Sequence, residues 1–279
     1  MPTERNQFMT PSETYSLGGT QTERQRLLAQ AEGYVRESNW LLDQCGVQPG
    51  WRTVDFGCGP IGILDLLSQR VGPFGSVVGL EREPLFAEMA RAEIARRGLS
   101  NVRVVQADAL NTGLEKNAYD LVHARLVLIN VSARDGFLSE MLSLLRPGGT
   151  LALADLDCVS WLCHPPHPSW NVLLNAFLAV FHAGGGDEFI GRRLPALLRG
   201  AGIQNVKVKV TVATPKPGDY YRTHLTSMID SVRDKVIGSG LLDESELDEH
   251  REALLRHLDD SATVVIGQLF VQSWGQKPG

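Results

Sequence analysis

The chain lacks any apolar run of the roughly 20 residues that a membrane-spanning helix needs, so no membrane partner is expected. It also lacks the apolar block of a secretory leader near its start. Its four cysteines show no paired spacing, which argues against a disulfide framework and fits a reducing, cytoplasmic setting. Basic residues do not predominate: 27 Lys and Arg face 32 Asp and Glu, a net charge of −5. That balance gives no general footprint for nucleic acid. Internal repeats and low-complexity stretches are absent. What remains, 279 residues of which 43% are hydrophobic, is enough for one large core with an appended lid.

The most informative stretch runs from Val54 to Gly62, Val-Asp-Phe-Gly-Cys-Gly-Pro-Ile-Gly. An apolar strand passes through Asp55 to glycines 57, 59 and 62, and an amphipathic run succeeds it. Glycines are needed where a tight strand-to-helix turn lets a ligand approach bare backbone, and the helix behind it presents unpaired N–H groups. Alone, this spacing serves any nucleotide-cofactor fold. Asp55 by itself reads equally as a helix cap, and Asp108 as a turn former.

The order of the elements downstream is more specific. Ser76-Val-Val-Gly-Leu-Glu81 is an apolar strand closed by an acid, and a carboxylate there can accept hydrogen bonds from both ribose hydroxyls. Val102 to Asp108 repeats the pattern. Tyr119 to Arg125 is a further strand, and Leu145-Arg-Pro-Gly-Gly149 leads into another at 150–154. An NAD site asks only for the first two of these elements. The ordered set over about residues 51–155 resembles the class I S-adenosylmethionine-dependent methyltransferases, in particular their small-molecule branch of bacterial secondary metabolism.

The resemblance implies an α/β fold: a Rossmann-like, mostly parallel seven-stranded sheet with helices on both faces. It places Asp55, Gly57 and Gly59 against the methionine half of S-adenosylmethionine, and Glu81 on its ribose. Arg82 joins as a cofactor-side candidate, while Glu83 sets a second acid close to Glu81. Asp108 accepts from the adenine amino group, with Ala109 and Leu110 beside the ring. Tyr15, within Tyr-Ser-Leu-Gly-Gly19, is expected to close over the methionine end. Arg125 either pairs with the cofactor carboxylate or an acidic substrate, or orients the loop through Asp120 or Asp155. Cys58 reads as a packing residue rather than a nucleophile.

The organisation reads as an N-terminal segment and helix over 1–46 and a methyltransferase domain over 47–279. The helix spans 22–45 with a break near Gly33. Two insertions, about 157–186 and 218–260, form with the N-terminal segment a helical lid over the strand carboxyl ends, where open α/β sheets bind ligands. Between them lie a helix over 187–200, capped by Asp187 and Glu188, and a strand over 206–212. A last strand covers 262–273.

The insertions concentrate Trp161, His164, His167, Trp170, Phe177, Phe181 and His182, then Tyr220, Tyr221, Arg222 and His224. Aromatic side chains there either line an apolar acceptor pocket or pack the lid onto the sheet. A general base is needed only if the acceptor bears a proton, and His167, His224 and His123 are the candidates. His123 ranks lowest because its strand can bury it in the sheet. No metal is expected, since Cys158 and Cys163 lack zinc spacing. Neither Asn-Pro-Pro-Tyr nor Asp-Pro-Pro-Tyr comes after the fourth strand, so exocyclic-nitrogen methylation has no support. The expected function is methyl transfer to a small, partly aromatic or apolar metabolite. A cofactor-binding, non-methylating member of the fold and an NAD-linked oxidoreductase stand as alternatives, and a homodimer stays open.

Overall fold

The computed structural model describes residues 21–279. Two helices, α1 (Gln21–Gly33) and α2 (Val35–Gln44), precede β1 (Arg52–Phe56), α3 (Leu64–Val71), β2 (Ser76–Glu81), α4 (Pro84–Arg97) and β3 (Val102–Gln106). Then come β4 (Tyr119–Arg125), α5 (Arg134–Leu144), β5 (Leu145–Asp157), β6 (Leu162–His164), α6 (Pro168–Ala183), α7 (Ile190–Gly200) and β7 (Gln204–Val212). The chain finishes with α8 (His224–Gly238), α9 (Glu244–Asp259), β8 (Val264–Ile266) and β9 (Leu269–Gln276).

Seven strands form one sheet in the order β3-β2-β1-β4-β5-β9-β7. The first five pair in parallel, and β9 inserts antiparallel between β5 and β7. Central strands are apolar on both faces because helices cover both: Val54, Phe56, Leu121, Val122 and Leu151 are fully buried. The strand order reverses between β1 and β4, and a crevice opens at such a switch point beyond the strand carboxyl ends. The site lies there.

Local chemistry sets several boundaries. The first helix ends at Gly33, as expected, and the Tyr221 ring leaves no room for a side chain there: a Cβ on Gly33 would lie 2.4 Å from Tyr221 Cε2. Helix α4 starts with Pro84 in its first turn and ends at left-handed Gly98. Helix α9 begins in a reciprocal capping box between Asp243 and Glu246.

Three expectations need correction. The last strand is not continuous over 262–273. Val264–Ile266 leaves to pair with β6 in a separate ribbon, and only Leu269–Gln276 joins the sheet. The helix expected from Asp187 starts at Ile190, because the Asp187 carboxylate accepts the Phe189 N–H and turns the chain first. The strand expected at 206–212 starts earlier, at Gln204.

The lid has its own core. Helices α6, α8 and α9 and the β6–β8 ribbon bury Trp161, Leu173, Phe177, Ile229, Val232 and Leu254 together. Burial of that many large apolar side chains makes the lid a packed layer rather than a loose flap.

Candidate functional site

A cavity of about 820 Å³ opens above β1, β2, β3 and β4 and runs under the lid. Its first wall is the β1–α3 loop. Gly57, Gly59 and Gly62 all have positive φ, at 62°, 53° and 52°. A Cβ on Gly57 would strike Val127 Cγ2 at 2.7 Å, and one on Gly62 would strike Asp55 Oδ2 at 2.6 Å and the Cys58 carbonyl at 2.8 Å. The loop therefore closes only with glycine at these places.

Asp55, at 2% exposure, lines the cavity at the end of β1. Its Oδ1 contacts His123 Nδ1 at 2.7 Å, and its Oδ2 accepts the Ile63 N–H at 3.3 Å. Glu81 closes β2 and accepts the N–H groups of Gly59 and Glu83 at 2.8 and 2.9 Å. Burial pushes its carboxyl up from the usual range, and those N–H donors pull against the shift. Asp108 lies just past β3 and accepts the Leu110 N–H at 2.8 Å, so its turn-forming role is real and coexists with a place on the cavity wall. Gly57, Gly59, Arg82, Ala109 and Leu110 line the same space.

Arg125 also lines the cavity, at the end of β4. It pairs with neither Asp120 nor Asp155, the loop partners considered from sequence. Its guanidinium donates to Ser38 Oγ at 2.9 Å and to the Gly62 carbonyl at 3.3 Å, tying α2 to the glycine loop. Asp120 is engaged by Arg146, and Asp155 by the Ile129 and Leu156 N–H groups. Burial lowers the Arg125 pKa, with Asp55 opposing that shift most strongly.

The three candidate bases fall in three different places. His123 lies opposite Asp55 in the sheet and does not line the cavity. His167 is also outside the cavity wall: it caps α6 by accepting the Ser169 N–H, and its ring lies 4.7 Å from that of His257. His224 lines the cavity at 3% exposure. Its Nδ1 has no hydrogen-bond partner among the described residues, and burial drives its pKa down to about 3. It is thus a neutral ring at ordinary pH. Tyr15 lies outside the described residues.

Of the lid aromatics, Phe177 and Phe181 reach the cavity, stacked 5.5 Å apart. Trp161 and Trp170 meet edge to face within the lid core. Arg222 is a brace, donating to the carbonyls of Pro215, Leu258, Asp260 and Thr263. Tyr221 packs at a tilt against Tyr34, and His164 sits on the β6–β8 ribbon. The Cys58 thiol is pushed well up by burial, which leaves it unreactive. Among the described residues, no three of His, Cys, Asp and Glu gather as a metal site. No helix among them is long and apolar enough to cross a membrane.

Sequence reasoning missed several wall residues. Leu27, Gln30 and Ala31 bring α1 onto the cavity, and their helical spacing was the available signal. Met228 and Gln268 come from the lid side. Glu188 was read as a helix cap, yet it is buried on the cavity wall.

Residues 48–182 match the family model of a methyltransferase domain. Demethylmenaquinone methyltransferase of Listeria monocytogenes serotype 4a is 29% identical over 131 residues, covering 47% of this chain and 53% of that protein. The ubiquinone/menaquinone biosynthesis C-methyltransferase of Idiomarina loihiensis is 32% identical over 119 residues, covering 42% and 47%. The chain thus spans about half the length of the curated relatives it matches. In fold it is similar to Haemonchus contortus phosphoethanolamine N-methyltransferase 2, solved with phosphomonomethylethanolamine and S-adenosylhomocysteine. That likeness has a TM-score of 0.61 at 15% identity and covers 97% of this chain and 61% of that one.

Proposed function

We propose that this chain methylates a small, partly aromatic or apolar acceptor using S-adenosylmethionine, a reading supported by the match of residues 48–182 to the family model of a methyltransferase domain and by the similar fold of a solved methyltransferase. One observation carries the reading. Asp55, Glu81 and Asp108, acids closing three adjacent parallel strands, face one cavity that continues under the lid to Phe177, Phe181 and Met228. A nicotinamide cofactor has no use for the third acid, and a lone ligand has no use for the second compartment.

The donor set fits the cofactor. Asp55 suits an ammonium, Glu81 a pair of ribose hydroxyls, and Asp108 an adenine amino group, each being an acceptor-only carboxylate when ionised. When bound, the cofactor supplies a methyl group on a positively charged sulfur. The chain's own part is to hold two reactants in line and exclude water. The glycine loop admits one of them to the backbone. The stacked phenyl rings and Met228 give the other an apolar slot. Lid burial seals that slot, since Phe177 and Phe181 are each about 5% exposed.

Calorimetry with S-adenosylhomocysteine and with NAD tests the reading, using Asp108→Ala as the comparison. Binding of S-adenosylhomocysteine that the substitution weakens supports it, when S-adenosylmethionine is also converted to S-adenosylhomocysteine in a screen of small hydroxylated and apolar acceptors. Binding of NAD alone sinks it.

A further inference from the structure

We propose that Glu188 is the proton acceptor of the acceptor compartment, and that the molecule it serves is an aromatic ring bearing a hydroxyl group. His182 acts as the positioning residue that holds the carboxylate. The inference rests on the methyltransferase reading and deepens it.

Glu188 is 5% exposed and lies on the cavity wall beyond the cofactor-side acids. A buried carboxylate is expensive unless other groups satisfy it. His182 Nε2 engages Glu188 Oε2, while the imidazole itself stays about half exposed to solvent. The short segment between them is tightly fixed. The Gly186 N–H donates to the Phe181 carbonyl at 3.0 Å, the Asp187 N–H to the Ile129 carbonyl at 2.9 Å, and the Cys158 N–H to the Glu188 carbonyl at 2.9 Å. Gly186 has no alternative, since a Cβ there would lie 2.3 Å from the Phe181 ring. The carboxylate is therefore placed by α6, by the end of β5 and by the loop after β4 at once.

Among the charged and titratable groups around Glu188, Asp187 is paired with Arg193, and Asp155 accepts the Ile129 and Leu156 N–H groups. Arg192 of α7 is paired with Asp157, and the Cys158 thiol is pushed up to about 12 by burial. His224, on the lid side, is the competing base. Its burial and the neighbouring Arg26 both work against adding a proton to it, so it suits a hydrogen-bond role instead. Glu188 brings the negative charge that a departing proton requires. The stacked Phe177 and Phe181 beside it fit a flat ring.

In the balanced step, the hydroxyl oxygen forms its bond to the methyl carbon and gives its proton to a Glu188 carboxylate oxygen. The carbon–sulfur electron pair stays with sulfur, which turns from a sulfonium into a neutral thioether. An alcohol proton becomes strongly acidic as that oxygen–carbon bond forms, so a contacting carboxylate can take it.

The test uses 1-naphthol and naphthalene, identical rings with and without the hydroxyl, titrated by fluorescence into the full chain loaded with S-adenosylhomocysteine. Wild type should prefer naphthol by about tenfold or more, as a hydrogen bond to a charged group implies. Glu188→Gln should reduce that preference to within about threefold. His182→Ala should lower it, and His182→Gln, which retains an N–H donor, should restore it. Wild type binding both rings equally, or a preference that Glu188→Gln leaves intact, overturns the proposal. Equal binding of the two rings by wild type overturns it even if a variant fails to fold. Failure to bind S-adenosylhomocysteine at all would instead remove the methyltransferase reading beneath it.

Discussion

Asp55 and His123 stand opposite one another on neighbouring parallel strands, and the imidazole Nδ1 lies 2.7 Å from the carboxylate Oδ1. Both are almost fully buried. The imidazole fixes one oxygen of an acid whose other oxygen receives the Ile63 N–H. On the function proposed above, this contact makes His123 a positioning residue for Asp55. His123→Ala is expected to weaken S-adenosylhomocysteine binding about tenfold or more, because an orphaned buried carboxylate loses its orientation. Asp55→Ala should cost more. Calorimetry of both variants checks this, and unchanged affinity in His123→Ala would refute the coupling.

Gly62 is the next point of leverage. It has no room for a side chain and adopts a left-handed φ of 52°. Gly62→Ala is expected to destabilise the protein by about 1–3 kcal/mol through backbone strain and collision with Asp55. It should also weaken S-adenosylhomocysteine binding more than thermal stability alone explains. Gly72→Ala is the comparison, since its φ is 63° but nothing crowds its Cβ. Equal losses of cofactor affinity in the two would show that the collision is irrelevant.

Asp108 accepts the Leu110 N–H and lines the cavity, and on the proposed function it also meets the cofactor; substitution should separate these two tasks. Asp108→Asn retains an oxygen for the Leu110 N–H but exchanges a carboxylate for an amide. It should keep wild-type stability within about 0.5 kcal/mol while losing cofactor affinity. Asp108→Ala should lose both. Chemical denaturation beside calorimetry reads the two effects, and an Asn variant as destabilised as the Ala variant would contradict the division.

Local signals made much of this molecule legible. The run through Asp55 to Gly62 needs glycine for backbone reasons that act within a single turn, so its place was visible. Glu81 was legible because its apolar strand stops there. The lid was harder, since its geometry comes from contacts between segments far apart in sequence. His167 caps a helix, and nothing local distinguishes a capping imidazole from a reactive one. Val264–Ile266 has the β-branched character of a sheet strand, yet pairs with Leu162–His164 because that distant segment supplies an edge. Glu188 and His182 lie on either side of a turn whose shape depends on Phe181, Ile129 and Cys158.

Asp155 offers a pH test of the same architecture. It is fully buried at the cavity end of β5, and burial pushes its carboxyl up to about 7. The Leu156 and Ile129 N–H groups oppose that shift without cancelling it. An unfolded aspartate titrates near about 3.9. Between those values the folded chain binds more protons than the unfolded one, so stability contributed by the protonated group is full below about 4 and is lost as pH rises through about 7. Asp155→Asn cannot titrate and lacks this loss. The variant's Tm minus that of wild type should therefore become more positive from about pH 5 to about pH 8. Ile129, whose N–H this carboxylate accepts, also lies on the cavity wall. A Tm difference that stays flat across this range would mean that Asp155 is already ionised in the folded protein at about pH 5.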